Sequence, residues 1–83
     1  MTDLKRQKLK AGTVYRVVGR SLQLGKAARD DERFEGLRYV GTMVPYQNGF
    51  ADVHAQTEVF YWFAKRHYVL FKLGTFQAEE MLT

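Results

Sequence analysis

Residues 50–76, FADVHAQTEVFYWFAKRHYVLFKLGTF, decide how this chain folds. Two periodicities compete within them. Read as a strand, residues 51–59 alternate strictly, with Ala51, Val53, Ala55, Thr57 and Val59 on one side and Asp52, His54, Gln56 and Glu58 on the other. The run that follows, Val59 to Phe63, is rich in β-branched and aromatic residues, which favour extended backbone. Read as a helix over 50–66, Phe50, Val53, Thr57, Phe60, Tyr61 and Ala64 form an apolar stripe about 100° wide. Asp52 would then sit in the first turn and Lys65 and Arg66 in the last, as the helix dipole prefers. That reading strands Val59, Trp62 and Phe63 on the wrong side, so the extended reading is favoured.

Working upstream, Asn48-Gly49 is the pair best suited to a two-residue hairpin, because both turn positions need positive φ. Folding back there opposes Val44 to Val53, Thr42 to Ala55 and Val40 to Thr57, partners of similar character that would set the register. Residues 37–46 form the preceding strand, with Pro45 near its end. Residues 25–36 are charged and bounded by glycines, and read as a long loop with room for one helical turn. Residues 13–24 form the first strand, with Tyr15 and Val17 facing inward, Arg16 and Arg20 outward, and Gly19 marking a bulge or a close backbone approach.

Downstream, residues 64–67 close a second hairpin that sets Phe63 beside Tyr68 and Tyr61 beside Leu70. Residues 68–73 make a further strand, and 76–82 a final helical turn. The expected fold is mainly β, a small antiparallel sheet or barrel of about four strands (13–24, 37–46, 50–63 and 68–73). The alternative is α+β, with 50–66 as a helix packed on a three-stranded sheet. Residues 1–12 read as a flexible basic arm and 13–83 as a single small globular domain.

Composition bounds the function. The chain has 83 residues, 46% hydrophobic and 27% charged, no cysteine and a net charge of +4. That is the profile of one globular domain without disulfides or cysteine-based metal sites. No apolar run approaches the roughly 20 residues of a membrane span, and no secretory signal opens the chain. The expected location is the cytoplasm, or the host cytoplasm if the protein is viral. Positive charge concentrates in residues 1–24, which raises the weight of an anionic partner, nucleic acid or an acidic protein.

Catalytic chemistry finds no foothold in the sequence. The carboxylate pairs Asp30-Asp31, Glu32 with Glu35, and Glu79-Glu80 lack an apolar setting that would lift a pKa. Asp52, His54 and Glu58 would be spaced at about 7 Å along a strand, too far apart for one metal ion. The glycines form no phosphate-cradling loop. The expectation is a protein that is not an enzyme and has no cofactor, no catalytic residue and no metal.

What remains is an aromatic cluster beside basic residues, the pattern by which single-stranded nucleic acid is bound with bases stacked on rings. The expected nucleic-acid-binding residues are Arg16, Arg20, Lys65, Arg66 and Lys72 for phosphates, with Trp62 and Tyr68 stacking. Tyr61 and Phe63 are assigned together to the core. Neighbouring rings on a strand face opposite ways, so one of Tyr61 and Trp62 must turn outward. The alternative function is a protein-interaction module, an accessory or inhibitor protein of the phage or mobile-element type or a small subunit of a larger assembly. It would use an exposed aromatic face of Phe60 and Trp62 for a homodimer or a larger partner.

Overall fold

The structure, a computed structural model, describes residues 8–23, 26–52 and 55–81. It is mainly β, as the extended reading predicts, and no α-helix occurs among the described residues. Five antiparallel strands form the main sheet: β1 (Val14–Gly19), β4 (Glu32–Met43), β7 (Thr57–Trp62), β8 (His67–Lys72) and β9 (Phe76–Glu80), in the order β8-β7-β4-β1-β9. Two short ribbons interrupt the meander. One pairs β2 (Leu22–Gln23) with β3 (Lys26–Ala27), the other β5 (Tyr46–Gln47) with β6 (Phe50–Ala51). Among the described residues no helix is long and apolar enough to cross a membrane.

The sheet curls so that its two edges approach each other at the 73–75 turn, without pairing. β8 and β9 are the outermost strands, yet residues 73–75 suffice to join them, and the Phe71 and Phe76 ring centroids lie 5.0 Å apart. The long strand β4 supplies the bend. Its first half pairs with β1 and its second with β7, and each pairing contains an irregularity. Against β1, the two-residue step from Val17 to Tyr15 is matched by a three-residue step from Phe34 to Leu37, and Gly36 takes up the extra residue with φ +75°. Such bulges bend a strand and sharpen its twist. The result is a partly closed barrel.

Its interior is filled by Tyr15, Val17, Phe34, Leu37, Tyr39, Phe60, Val69 and Phe71. Phe60 is fully buried at the centre, edge-on to the rings of Tyr15, Tyr39, Phe71 and Phe76 at 5.3–6.3 Å. Burying such a ring contributes about 1.5–3 kcal/mol, and each aromatic pair about 0.5–1.5 kcal/mol more. The glycine at position 19 is a close approach, not the bulge. A Cβ there would stand 2.4 Å from Phe76 Cβ and 2.6 Å from the Thr75 carbonyl, so β9 reaches β1 only because the side chain is missing. Tyr15 and Val17 face inward as expected.

Several boundaries and faces depart from the sequence reading. Within 25–36, residues 26–27 pair with β2 and residues 32–36 begin β4, because Phe34 is a core side chain and draws the charged segment into the sheet. Residues 76–80 are a strand, not a helical turn, since the free edge of β1 offers a full ladder. The Asn48-Gly49 hairpin forms, with φ of 52° and 82°, but its register stops at Tyr46 opposite Ala51. Beyond it Thr42 meets Glu58 instead of Ala55, and Gly41 meets Val59.

The alternation expected across residues 57–59 does not hold either, since Thr57 and Glu58 are both buried. Phe60 goes inside, so even-numbered residues point inward and Glu58 follows, 4% exposed. Its carboxylate accepts hydrogen bonds from the Tyr39 hydroxyl (2.5 Å), the Thr42 hydroxyl (2.8 Å) and Gln56 Nε2 (3.0 Å). Three donors meet the requirement that a buried carboxylate be hydrogen-bonded. Burial first, and then the bond to Glu58, push the Tyr39 phenol above its ordinary value. Phe60 therefore offers no surface to a dimer or a larger partner.

Candidate nucleic-acid interface

The outer face of β4, β7 and β8 is a grid fixed by strand register. Its first row is Arg38–Tyr61–Tyr68, its second Gly41–Val59–Leu70 and its third Met43–Thr57–Lys72, in which Thr57 is covered and buried. Rows are about 7 Å apart because alternate residues share a face. The second hairpin closes with Tyr61 opposite Tyr68 and Trp62 opposite His67, its four-residue turn one position earlier than expected, so that Tyr61's partner shifts by two from Leu70. A shift of two preserves the face, so Tyr61 and Tyr68 end as direct neighbours.

Phe63 lies in the turn just past the first row and is half exposed, at 51%. Tyr61 stands edge-on to both Phe63 and Tyr68, with each pair of centroids 5.0 Å apart. The Arg38 guanidinium lies over the Phe63 ring, 4.6 Å from its centroid. The assignment of Tyr61 and Phe63 to the core is thus reversed. Phe60 and Trp62 take the inner positions, and strand alternation sends the other two rings outward.

Charge sharpens this face. Between Leu37 and Leu73 the acidic residues are Asp52 and Glu58, and Glu58 is buried among its donors. Among the described residues no carboxylate forms an ion pair with Arg38. Tyr68 is 62% exposed and Phe63 is half exposed, while Tyr61 between them is partly buried, so the two outer rings are the ones open to a planar ligand. An open ring stacks on a base at about 1–3 kcal/mol, whatever the base.

The residues expected from sequence are distributed unevenly around this patch. Tyr68 is in it. Lys72 is on the same face in the third row, roughly 13 Å from Tyr68 along the strand. Lys65 and Arg66 occupy the exposed turn beside the first row, where Arg66 has φ 57° and its N–H reaches the Trp62 carbonyl at 2.7 Å. The chain matches no protein-family model, no curated protein and no solved structure.

Trp62 is placed differently from Tyr68. Its ring packs edge-on against buried Phe34 at 5.2 Å, and its indole N–H donates to the Glu35 carbonyl at 3.1 Å. Lys65 Nζ stands 5.7 Å from its centroid. Arg16 is held by Glu35 through two contacts of 3.0 and 3.1 Å, and by Glu79 at 3.4 Å. Those bonds, Glu35's above all, push its pKa further up and keep the guanidinium ionised but occupied. Arg20 is exposed just beyond Gly19, about 20 Å along β1 from the Val14 position opposite Arg38.

Arg38 is the residue that sequence reasoning missed. The available signal was its place two residues from Val40 in a strand whose odd-numbered neighbours are apolar. Among the described residues no group of three or more metal-ligating side chains is assembled. His54, weighed as a ligand with Asp52 and Glu58, lies outside the described residues.

Proposed function

We propose that this chain is a non-enzymatic cytoplasmic protein that binds single-stranded nucleic acid on the outer face of β4, β7 and β8. Phe63 and Tyr68, on either side of Tyr61, stack on bases. Arg38, Lys65, Arg66 and Lys72 meet phosphates. The observation that supports this reading best is the Arg38 guanidinium lying over Phe63, next to Tyr61 and Tyr68 and with no carboxylate partner among the described residues. A cation and aromatic faces presented together are what a sequence-tolerant single-strand site requires. The net charge of +4 adds long-range attraction for a polyanion.

Fluorescence anisotropy with a labelled oligothymidylate tests the proposal. At about 50 mM salt the protein should bind, and the logarithm of affinity should fall linearly with the logarithm of salt concentration. Arg38→Ala should weaken binding and make the salt slope shallower by roughly one ion. Absence of binding at low salt, or an affinity indifferent to salt, would overturn it. Binding of an acidic protein through the same rings, with no oligonucleotide binding, would establish the interaction-module reading in its place.

A further inference from the structure

Resting on that reading of the outer face, we infer that the β5–β6 hairpin is a wedge for the junction between single-stranded and double-stranded nucleic acid. Tyr46 and Phe50 are 72% and 75% exposed, more than the other exposed large hydrophobic side chains of the described residues. The hairpin's register places them on opposite sides. Tyr46 pairs with Ala51, and Phe50 with Gln47, so the two rings leave alternate faces of the ribbon. Between them stand Asn48 and Gly49, both at positive φ, in a turn of minimal width.

A flat partner would cover one face of such a ribbon and leave the other ring in water. An occupant that meets aromatic rings on both sides must surround the tip, as planar bases do around an inserted apolar side chain. The segment Gly41 to Ala51 carries no charged side chain, so it offers no cation to phosphates and suits the base-lined interior of a parting duplex. The hairpin is also continuous with the platform. It leaves from the Met43 end of β4, where Lys72 lies in the same row, while Arg38 occupies the first row of the same strand. A single strand laid along the rows from Tyr68 towards Lys72 would run to the end of β4 from which the hairpin leaves.

The full chain should be titrated against a labelled single strand, a blunt duplex and a duplex with a single-stranded tail. The tailed duplex should bind about tenfold more tightly than the single strand, the low end of what one or two stacked bases contribute. A 2-aminopurine base at the junction should brighten as it unstacks. The double substitution Tyr46→Ala with Phe50→Ala should abolish the tenfold preference and leave single-strand affinity unchanged, which also shows that the variant is folded. Equal affinities for the tailed duplex and the single strand, or a preference that survives the double substitution, would remove the wedge and leave the platform standing. A dimer that the double substitution dissociates without altering DNA binding would assign the tip to a second copy of the chain instead. Failure to bind any of the three DNAs would remove both proposals.

Discussion

Arg16 and Arg38 are both strand arginines on the outside of the same curled sheet, and they live in opposite circumstances. Arg16, on the β1 side, is clasped by Glu35 and Glu79 from the strands flanking it. Arg38, on the β7 side, lies on a phenyl ring with no carboxylate partner among the described residues. The lesson is that a cation's availability is decided across the sheet and not along the chain. A guanidinium already satisfied by two carboxylates must surrender them before it can meet a phosphate, whereas one resting on a ring keeps its donors free.

The largest effect is expected at the core both halves share. Phe60→Ala should cost about 3–5 kcal/mol, read as a fall in the urea midpoint, and should abolish both environments by unfolding the barrel. Gly19→Ala is more selective. Its methyl group would collide with Phe76 and the Thr75 backbone, so a loss of about 1–3 kcal/mol is expected. The displacement of β9 should free Arg16 from Glu79 more than it disturbs Tyr61, Phe63 and Tyr68, which chemical shifts would report.

Exchanging the arginines' circumstances sharpens the contrast. Tyr68→Ala should cost about 1–3 kcal/mol of oligonucleotide binding. Arg16→Ala should leave binding within experimental error, while Glu35→Gln with Glu79→Gln should strengthen it by releasing Arg16. If Arg16→Ala weakens binding as much as Arg38→Ala, the distinction between the two halves is wrong.

The smallest effect is set by pH beneath the platform. Because the folded state holds the Tyr39 phenol above its ordinary value, stability from this group is intact below about pH 10 and is lost as pH rises through the folded-state pKa. Alkaline titration followed by tyrosinate absorbance should show one tyrosine ionising late. Tyr39→Phe should remove that late step.

How much of this was legible in the sequence depends on the range of the interaction that decides each feature. The Asn48-Gly49 turn and the inward pair Tyr15 and Val17 are local consequences of φ preference and alternation and could be read directly, while Gly19 was left between a bulge and a close approach until β9 was placed beside it. The parity of residues 57–63 could not. An alternation of small residues with polar ones looked decisive, but Phe60 and Trp62 carry far more apolar area than Val59, and Glu58 was drawn inside with them. The site shows the same divide. Tyr68 could be named because basic residues are its chain neighbours, while Arg38 meets Phe63 and Arg16 meets Glu79 only through strand pairing across 25 and 63 positions.

The seam between β1 and β9 bears on how the barrel is made. Tyr15 pairs with Glu80, so the first strand of the sheet keeps a bare edge until residues 76–80 arrive. Contacts of such long sequence separation form slowly, because the intervening chain must be ordered before they stabilise anything. During synthesis β1, β4, β7 and β8 can assemble into an open four-stranded sheet as they emerge. Closure requires Phe76 to pack over Gly19, which makes that glycine a condition of closing the sheet as well as a space in the finished fold.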